Sequence, residues 1–273
     1  MITVVAVSGL ATVQDGGRPG RMHEGVPPGG PLVPELLARA NAAVGNDEGT
    51  AGLEVFGSIA LTGSQGTLVA SDDGVLAAIG EGGPWLVGTA GARVRYVAVQ
   101  GGIDVPRVLG GRGTLLVAGL GGHEGRGLRA GDVLRVGDLA PVDRPLRGGP
   151  APPLSQPDPG APIEVVLGPD LDRFEPGAVD ALLAGSFVVD PRSDRVGIRL
   201  TGPSLHRADD DASVSCPMVR GAIQVPASGA PIVLGPDHPT TGGYPVLATV
   251  ARTSLGAIGA RAVGAVVRFV AVP

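Results

Sequence analysis

Lysine is absent from this 273-residue sequence, and all 21 basic residues are arginine. The chain therefore has no Schiff-base lysine, no P-loop lysine and no lysine that could carry biotin or lipoate. Cysteine occurs once, at Cys216, which excludes an intramolecular disulfide and a multi-cysteine zinc site. With Pro217 after it and no base nearby in sequence, that thiol reads as buried and structural. Aromatic residues are few, at one Trp, two Tyr and four Phe, so Val, Ala, Leu and Ile must fill the core. Positive charge is not in excess either; a formal net charge of −5 argues against a general nucleic-acid binder. No apolar run approaches the ~20 residues of a membrane helix, and the apolar start lacks the basic region of a signal peptide. A cytoplasmic protein without a membrane segment is expected.

What the chain has in quantity is glycine and proline, 47 and 26 residues. Such a share warns of disorder, but 43% hydrophobic and only 17% charged residues describe an ordered, loop-rich protein. Short Val-rich runs bounded by Gly, Pro or Asp read as strands: Ile2–Val7, Leu53–Leu61, Val94–Val99, Val133–Val136, Ile163–Leu167, Ile232–Leu234 and Val266–Val272. Many short strands with frequent turn signals favour a barrel or sandwich over a βαβ fold. Pro34 and Glu35 open a helix that ends before Gly45, with Leu36, Leu37, Ala40 and Val44 on one face. Shorter helices are expected at Pro176–Leu183 and Ser254–Ala260.

Residues 141–162 hold eight prolines and read as an extended linker between domains at 1–140 and 163–273. A weak internal repeat accords with two related β-domains. IDVPRVLGG from Ile103 resembles IQVPASGAPIVLG from Ile223, and GDVLRVG from Gly131 and GAVVRFV from Gly264 each look like a closing strand.

Three polar clusters are candidate sites. In Gln14-Asp15-Gly16-Gly17-Arg18-Pro19-Gly20 the glycines permit a sharp turn, Arg18 offers a planar fork for carboxylate or phosphate, and Asp15 could act as a base or orient Arg18. A β-turn with a surface salt bridge is the plainer reading. Asp237-His238-Pro239-Thr240-Thr241-Gly242-Gly243-Tyr244 gathers a carboxylate, an imidazole, two hydroxyls and a phenol, parts suited to proton transfer and to gripping a small polar substrate. The alternative is a polar loop between strands. Gln100-Gly101-Gly102-Ile103-Asp104, with Gly110-Gly111-Arg112-Gly113-Thr114 after it, could nest an anion beside Arg112 or form a tight hairpin. His23, His123, His206 and His238 lack metal-ligand spacing, so no metal site is expected, and Asp209-Asp210-Asp211 reads as a solvated turn.

The order QDxGRxG, GVPxxG, a helix ending in AN…VGN, GGIDVP…LG, GxRLxGPxL, GxIQVPxxGxPIVL and TTGGYPxxATV resembles the KipA family from about residue 8 to residue 270. That family is also known as the 5-oxoprolinase C subunit, as allophanate hydrolase subunit 2, or as the biotin-dependent carboxyltransferase-like family. The resemblance implies a mainly β fold of two cyclophilin-like β-barrel domains. It implies a KipI-type partner (the 5-oxoprolinase B subunit) and a LamB/YcsF-type third component, together forming an ATP-dependent 5-oxoprolinase that opens 5-oxoproline to glutamate. The same modules form the carboxyltransferase part of urea carboxylase, with biotin carried on another chain. A third possibility is a non-catalytic regulatory partner of a KipI-type kinase inhibitor.

Carried onto this sequence, the motifs make Asp237, Tyr244 and Asp15 the candidate catalytic residues. Gln14, Arg18, Arg112, Arg199, Gln224, Thr240, Thr241, Gly242 and Gly243 are the candidate substrate-binding residues. The sequence also departs from the family pattern. Gly29-Gly30-Pro31-Leu32-Val33 stands where Ser-Gly-Ala-x-Asp is common, Pro239 replaces a Gln, and Gly111 and Gly113 replace serines. These losses of polar groups point to a different substrate or reduced activity.

Overall fold

The computed structural model of the chain describes residues 1–80, 82–137, 158, 160–208 and 214–273. Its contacts divide into two units, Met1–Pro19 with Gly29–Gln156 and Gly20–Pro28 with Pro157–Pro273. Most of the expected 141–162 linker, and the Asp209-Asp210-Asp211 turn, lie outside the described residues. The architecture is mainly β, as the resemblance implies, and all the runs read as strands contain strand.

In the first unit, β1 (Ile2–Gln14) and β2 (Gly52–Gly63) pair antiparallel from Ile2 opposite Gly63 to Gln14 opposite Gly52. Ile2 and Val4 enter the core at alternate positions until an irregularity after Val4 shifts the phase. Gly9 and Gly57 face each other across this pair with φ of 87° and 112°. A Cβ on either would strike a carbonyl of the other strand, so the close approach requires glycine at both. Strands β3 (Thr67–Ser71), β4 (Leu76–Ile79), β5 (Trp85–Gly88), β6 (Arg95–Val99) and β7 (Val133–Leu134) complete a sheet of order β4-β3-β6-β2-β1-β7, with β5 on β2. The buried cluster between these elements is wholly aliphatic, from Ile2 to Leu134, with Trp85 packed at its margin. Each such side chain contributes on the order of 1.5–3 kcal/mol when fully buried.

Helix α1 (Pro34–Ala43) begins at the expected proline. Leu37, Ala40 and Val44 are buried, and Ala38 and Asn41 rather than Leu36 complete the inner face. Ahead of it, the Tyr96 hydroxyl donates to Glu54 Oε2 (2.6 Å) and accepts the Val33 N–H (2.9 Å), while Leu32 N–H donates to the same Glu54 oxygen (2.7 Å). This buried carboxylate fixes the turn that launches the helix.

The second unit contains β8 (Ile163–Leu167), β9 (Phe187–Val189), β10 (Gly197–Thr201), β11 (Cys216–Pro217), β12 (Ala222–Gln224), β13 (Ile232–Leu234), β14 (Thr241–Gly242), β15 (Val246–Val250), β16 (Val266–Val267) and β17 (Phe269–Ala271). Its main sheet runs β16-β9-β10-β13-β12-β15-β8-β17. The first and last members are parts of one stretch separated by Arg268 alone; Val266–Val267 pairs with β9, and Phe269–Ala271 pairs parallel with β8. One segment therefore joins the two ends of the sheet and closes it into a barrel. Inside, Phe187 and Phe269 meet edge to face with centroids 5.7 Å apart among aliphatic neighbours. Helices α2 (Ala178–Ala184) and α3 (Leu255–Ala260) fall where expected.

Strands β11 and β14 form a separate ribbon of two residue pairs, Cys216 with Gly242 and Pro217 with Thr241. Cys216 is consequently exposed, with Sγ 3.3 Å from the Val214 carbonyl. The expectation of a buried thiol fails because this ribbon lies off the main sheet.

Candidate functional site

Residues 14–19 of the QDxGRxG cluster sit at the end of β1 in the first unit. Gln14 is fully buried; its Nε2 donates to the Thr114 carbonyl (3.0 Å) and to Thr12 Oγ1 (3.2 Å). Because a carbonyl only accepts, the amide orientation is set, and Gln14 Oε1 is a buried acceptor without a hydrogen-bond partner. Asp15 Oδ1 accepts the N–H of Gly17 and of Gly113, both at 3.0 Å, and Oδ2 accepts the Arg112 N–H at 2.6 Å. Arg18, 2% exposed, donates Nε to the Val108 carbonyl (2.8 Å) and Nη2 to the Gly113 carbonyl (2.7 Å). Gly113 is thus held through its N–H by Asp15 and through its carbonyl by Arg18.

This clasp also accounts for two of the departures from the family pattern. A Cβ on Gly113 would stand 2.8 Å from Gln14 Oε1 and 3.0 Å from Asp15 Oδ1, and one on Gly111 would stand 2.7 Å from the Gly17 carbonyl. The turn itself fills the space that a serine side chain would take. Val33 is likewise completely buried, a position where an unpaired carboxylate would be costly. The Arg112 guanidinium, 27% exposed, is partnered by the Val105 carbonyl and by Asp104 Oδ1, the latter at 3.0 Å.

The second cluster belongs to the second unit, and its anchor was not visible in the sequence. Asp237 follows β13 and binds Arg195 in a buried fork, Nε to Oδ2 at 2.8 Å and Nη2 to Oδ1 at 2.9 Å. The Asp237 N–H also donates to the Arg195 carbonyl at 3.1 Å. Arg195 lies two residues before β10 and outside all three polar clusters. No local spacing connects it to Asp237.

His238 is fully buried, with Nδ1 2.7 Å from the Pro239 carbonyl. Nδ1 therefore carries the proton, and Nε2 is a buried lone pair with no hydrogen-bond partner. Burial holds the imidazole below its ordinary value of 6.5, assisted by the Arg220 cation and opposed by the Pro239 hydrogen bond and Asp237. Further along, Thr240 accepts the Met218 N–H through its carbonyl at 2.9 Å, Thr241 is exposed, and Gly242 and Gly243 are half-buried. Tyr244 is 50% exposed, so its ring is not a core side chain. Gln224 is buried and donates Nε2 to the Tyr244 carbonyl at 3.3 Å, beside Met218 Sδ at 3.2 Å. Arg199 is on β10 with an exposed side chain.

The segment combines exposed side chains at Thr241 and Tyr244 with a buried imidazole nitrogen held in one tautomer, while Arg199 stands opposite Ile232 on the neighbouring strand. Among the described residues, no group of three or more His, Cys, Asp or Glu is placed to hold a metal ion. His123 instead faces Asp132 (Nε2 to Oδ1, 3.3 Å), whose carboxyl is lowered to about 2 chiefly by hydrogen bonds from Arg126.

Comparison with known proteins identifies the family. The family model for the carboxyltransferase domain, subdomain A and B, matches residues 24–271. The chain is 32% identical to the 5-oxoprolinase C subunit of Escherichia coli, over 99% of this chain and 91% of that protein. It is also 32% identical to the Haemophilus influenzae protein of the same name, over 100% and 91%. Among solved structures, K. lactis urea amidolyase superposes with a TM-score of 0.85 at 28% identity, over all of this chain but only 19% of that one. Matched nearly end to end in sequence and throughout in fold, the chain belongs to the carboxyltransferase-domain family, subdomains A and B, which includes the 5-oxoprolinase C subunit.

Proposed function

We propose that the chain is the C subunit of an ATP-dependent 5-oxoprolinase complex that opens 5-oxoproline to glutamate. Its partners in this reading are a KipI-type protein, the B subunit, and a LamB/YcsF-type protein, and ATP is consumed by the complex. The observation that carries the proposal is one of extent. The chain corresponds to 91% of the free-standing E. coli 5-oxoprolinase C subunit but to only 17% of the Lachancea kluyveri urea amidolyase. Asp15 and Asp237 then act by holding backbone turns, while Thr240, Thr241, Tyr244 and Arg199 supply groups for substrate. No helix among the described residues is long and apolar enough to cross a membrane.

A second reading, a carboxyltransferase component using biotin carried on another chain, draws on the 0.85 TM-score to urea amidolyase. A third, a non-catalytic regulatory partner, draws on the glycines at 111 and 113, where a side chain would crowd the turn. Co-expression with the two partner proteins, followed by an assay of ATP-dependent glutamate release from 5-oxoproline, separates the three. Release by the assembled complex supports the first. An assembled complex that is silent with 5-oxoproline but accepts CO₂ transfer from carboxybiotin to urea supports the second, and one silent in both assays the third.

A further inference from the structure

The buried nitrogen of His238 has no task in the fold. Its ring is already anchored by the Nδ1 bond to the Pro239 carbonyl, and the Nε2 lone pair faces no donor. A buried acceptor left unmade costs about 1–3 kcal/mol, and such groups in a native protein call for an occupant. The surroundings point to what that occupant carries. The imidazole is followed directly by Pro239 and the Thr-Thr-Gly-Gly-Tyr segment, and preceded by Asp237, immobilised by Arg195. A neutral acceptor of fixed tautomer suits a small ligand that bears an N–H donor. The adjoining ribbon of β11 and β14 has only two residue pairs, and so short a ladder opens at low cost.

We propose that His238 is a substrate-binding residue whose Nε2 accepts the N–H of a small amide. The proposal rests on the reading of the chain as a 5-oxoprolinase component and names a contact within it. The Pro239 carbonyl fixes the tautomer, so no proton need move before the substrate binds.

Two measurements test this. In the ¹⁵N-histidine spectrum of the full chain, His238 is the buried one of four histidines. At neutral pH its Nε2 should give an unprotonated resonance that moves on addition of 5-oxoproline or of urea. A protonated Nε2, or a resonance unmoved by saturating amounts of both probes, means that the nitrogen serves an internal water only and overturns the proposal. In the assembled complex, His238→Asn retains a donor where Nδ1 stands and removes the acceptor. KM for 5-oxoproline should rise about tenfold, the scale of one lost hydrogen bond, with an unchanged melting temperature. A folded variant with the wild-type KM overturns the assignment while leaving the 5-oxoprolinase reading intact. A wild-type complex that releases no glutamate overturns that reading instead, and the spectrum of the wild-type chain then decides the case for His238.

Discussion

Arg195 and Asp237 meet through two parallel hydrogen bonds of 2.8 and 2.9 Å, with side chains only 5% and 3% exposed. The bond from the Asp237 N–H to the Arg195 carbonyl adds a backbone link at the same point. The start of the β10 segment and the loop after β13 are thereby joined as one piece. Whatever chemistry the Thr-Thr-Gly-Gly loop performs, its starting point is set by this pair.

Asp237→Asn should therefore destabilise the chain as well as impair any turnover. The change replaces a charged acceptor with an amide that can keep only one of the two bonds from Arg195, at a cost of about 1–3 kcal/mol. Urea denaturation measures this directly; a midpoint close to that of the wild type would show that the pair contributes little to the fold.

Asp15→Asn tests the other clasp. The carboxylate receives three backbone N–H groups, from Gly17, Arg112 and Gly113, and an amide must turn its own donor toward at least one of them. We expect a loss of about 1–3 kcal/mol and faster exchange of the Arg112 and Gly113 amide hydrogens. Unaltered exchange at both positions would contradict the clasp.

Tyr244→Phe should be nearly silent in stability, within about 0.5 kcal/mol, because the ring is half exposed and its backbone, not its hydroxyl, is held by Gln224. A fall in turnover by the assembled complex with unchanged melting temperature would place the phenol on the substrate. A large loss of stability would assign it a structural role that this geometry does not provide.

His238 also gives the second unit a pH dependence of definite sign. Its folded value lies below the ordinary 6.5, so the unfolded chain takes up a proton that the folded chain refuses. Stability from this group is full above about pH 6.5 and declines as the pH falls below it. His238→Asn should flatten the stability curve below about pH 6.5. An unchanged slope in the variant would trace the effect to other groups.

The strands and helices were legible because short apolar runs end at Gly, Pro or Asp, signals that act within a few residues. Pro34 placed the start of α1 correctly, while the inner face turned out to use Ala38 and Asn41 in place of Leu36. Asp237 and Asp15 were recognised as noteworthy, but not their bonding. Arg195 and the 112–113 turn lie far from them in sequence, and only the folded sheet brings them near. The exposure of Cys216 was hidden for a related reason, since the pairing of Cys216–Pro217 with Thr241–Gly242 leaves no pattern in either dipeptide. The motif Leu-Gly-Pro-Asp occurs twice, at 167–170 and 234–237. After β8, Asp170 Oδ2 accepts the Val246 N–H at 2.8 Å, and after β13, Asp237 holds Arg195. In both copies the glycine lies flush against a neighbouring carbonyl, so that a Cβ would collide with Val246 or Arg195.

The segment Val266–Ala271, which joins both ends of the second sheet, bears on how this protein is made. Strand β8 leaves the ribosome long before its parallel partner β17, and β9 long before β16. During that interval both strands expose unpaired N–H and C=O groups, the kind of edge that recruits strands from other chains. Pairing between such distant positions is also slow, because the intervening chain must be ordered first. The nascent second unit thus passes through a window in which association between chains competes with closure, and that window ends only when residues 266–271 emerge.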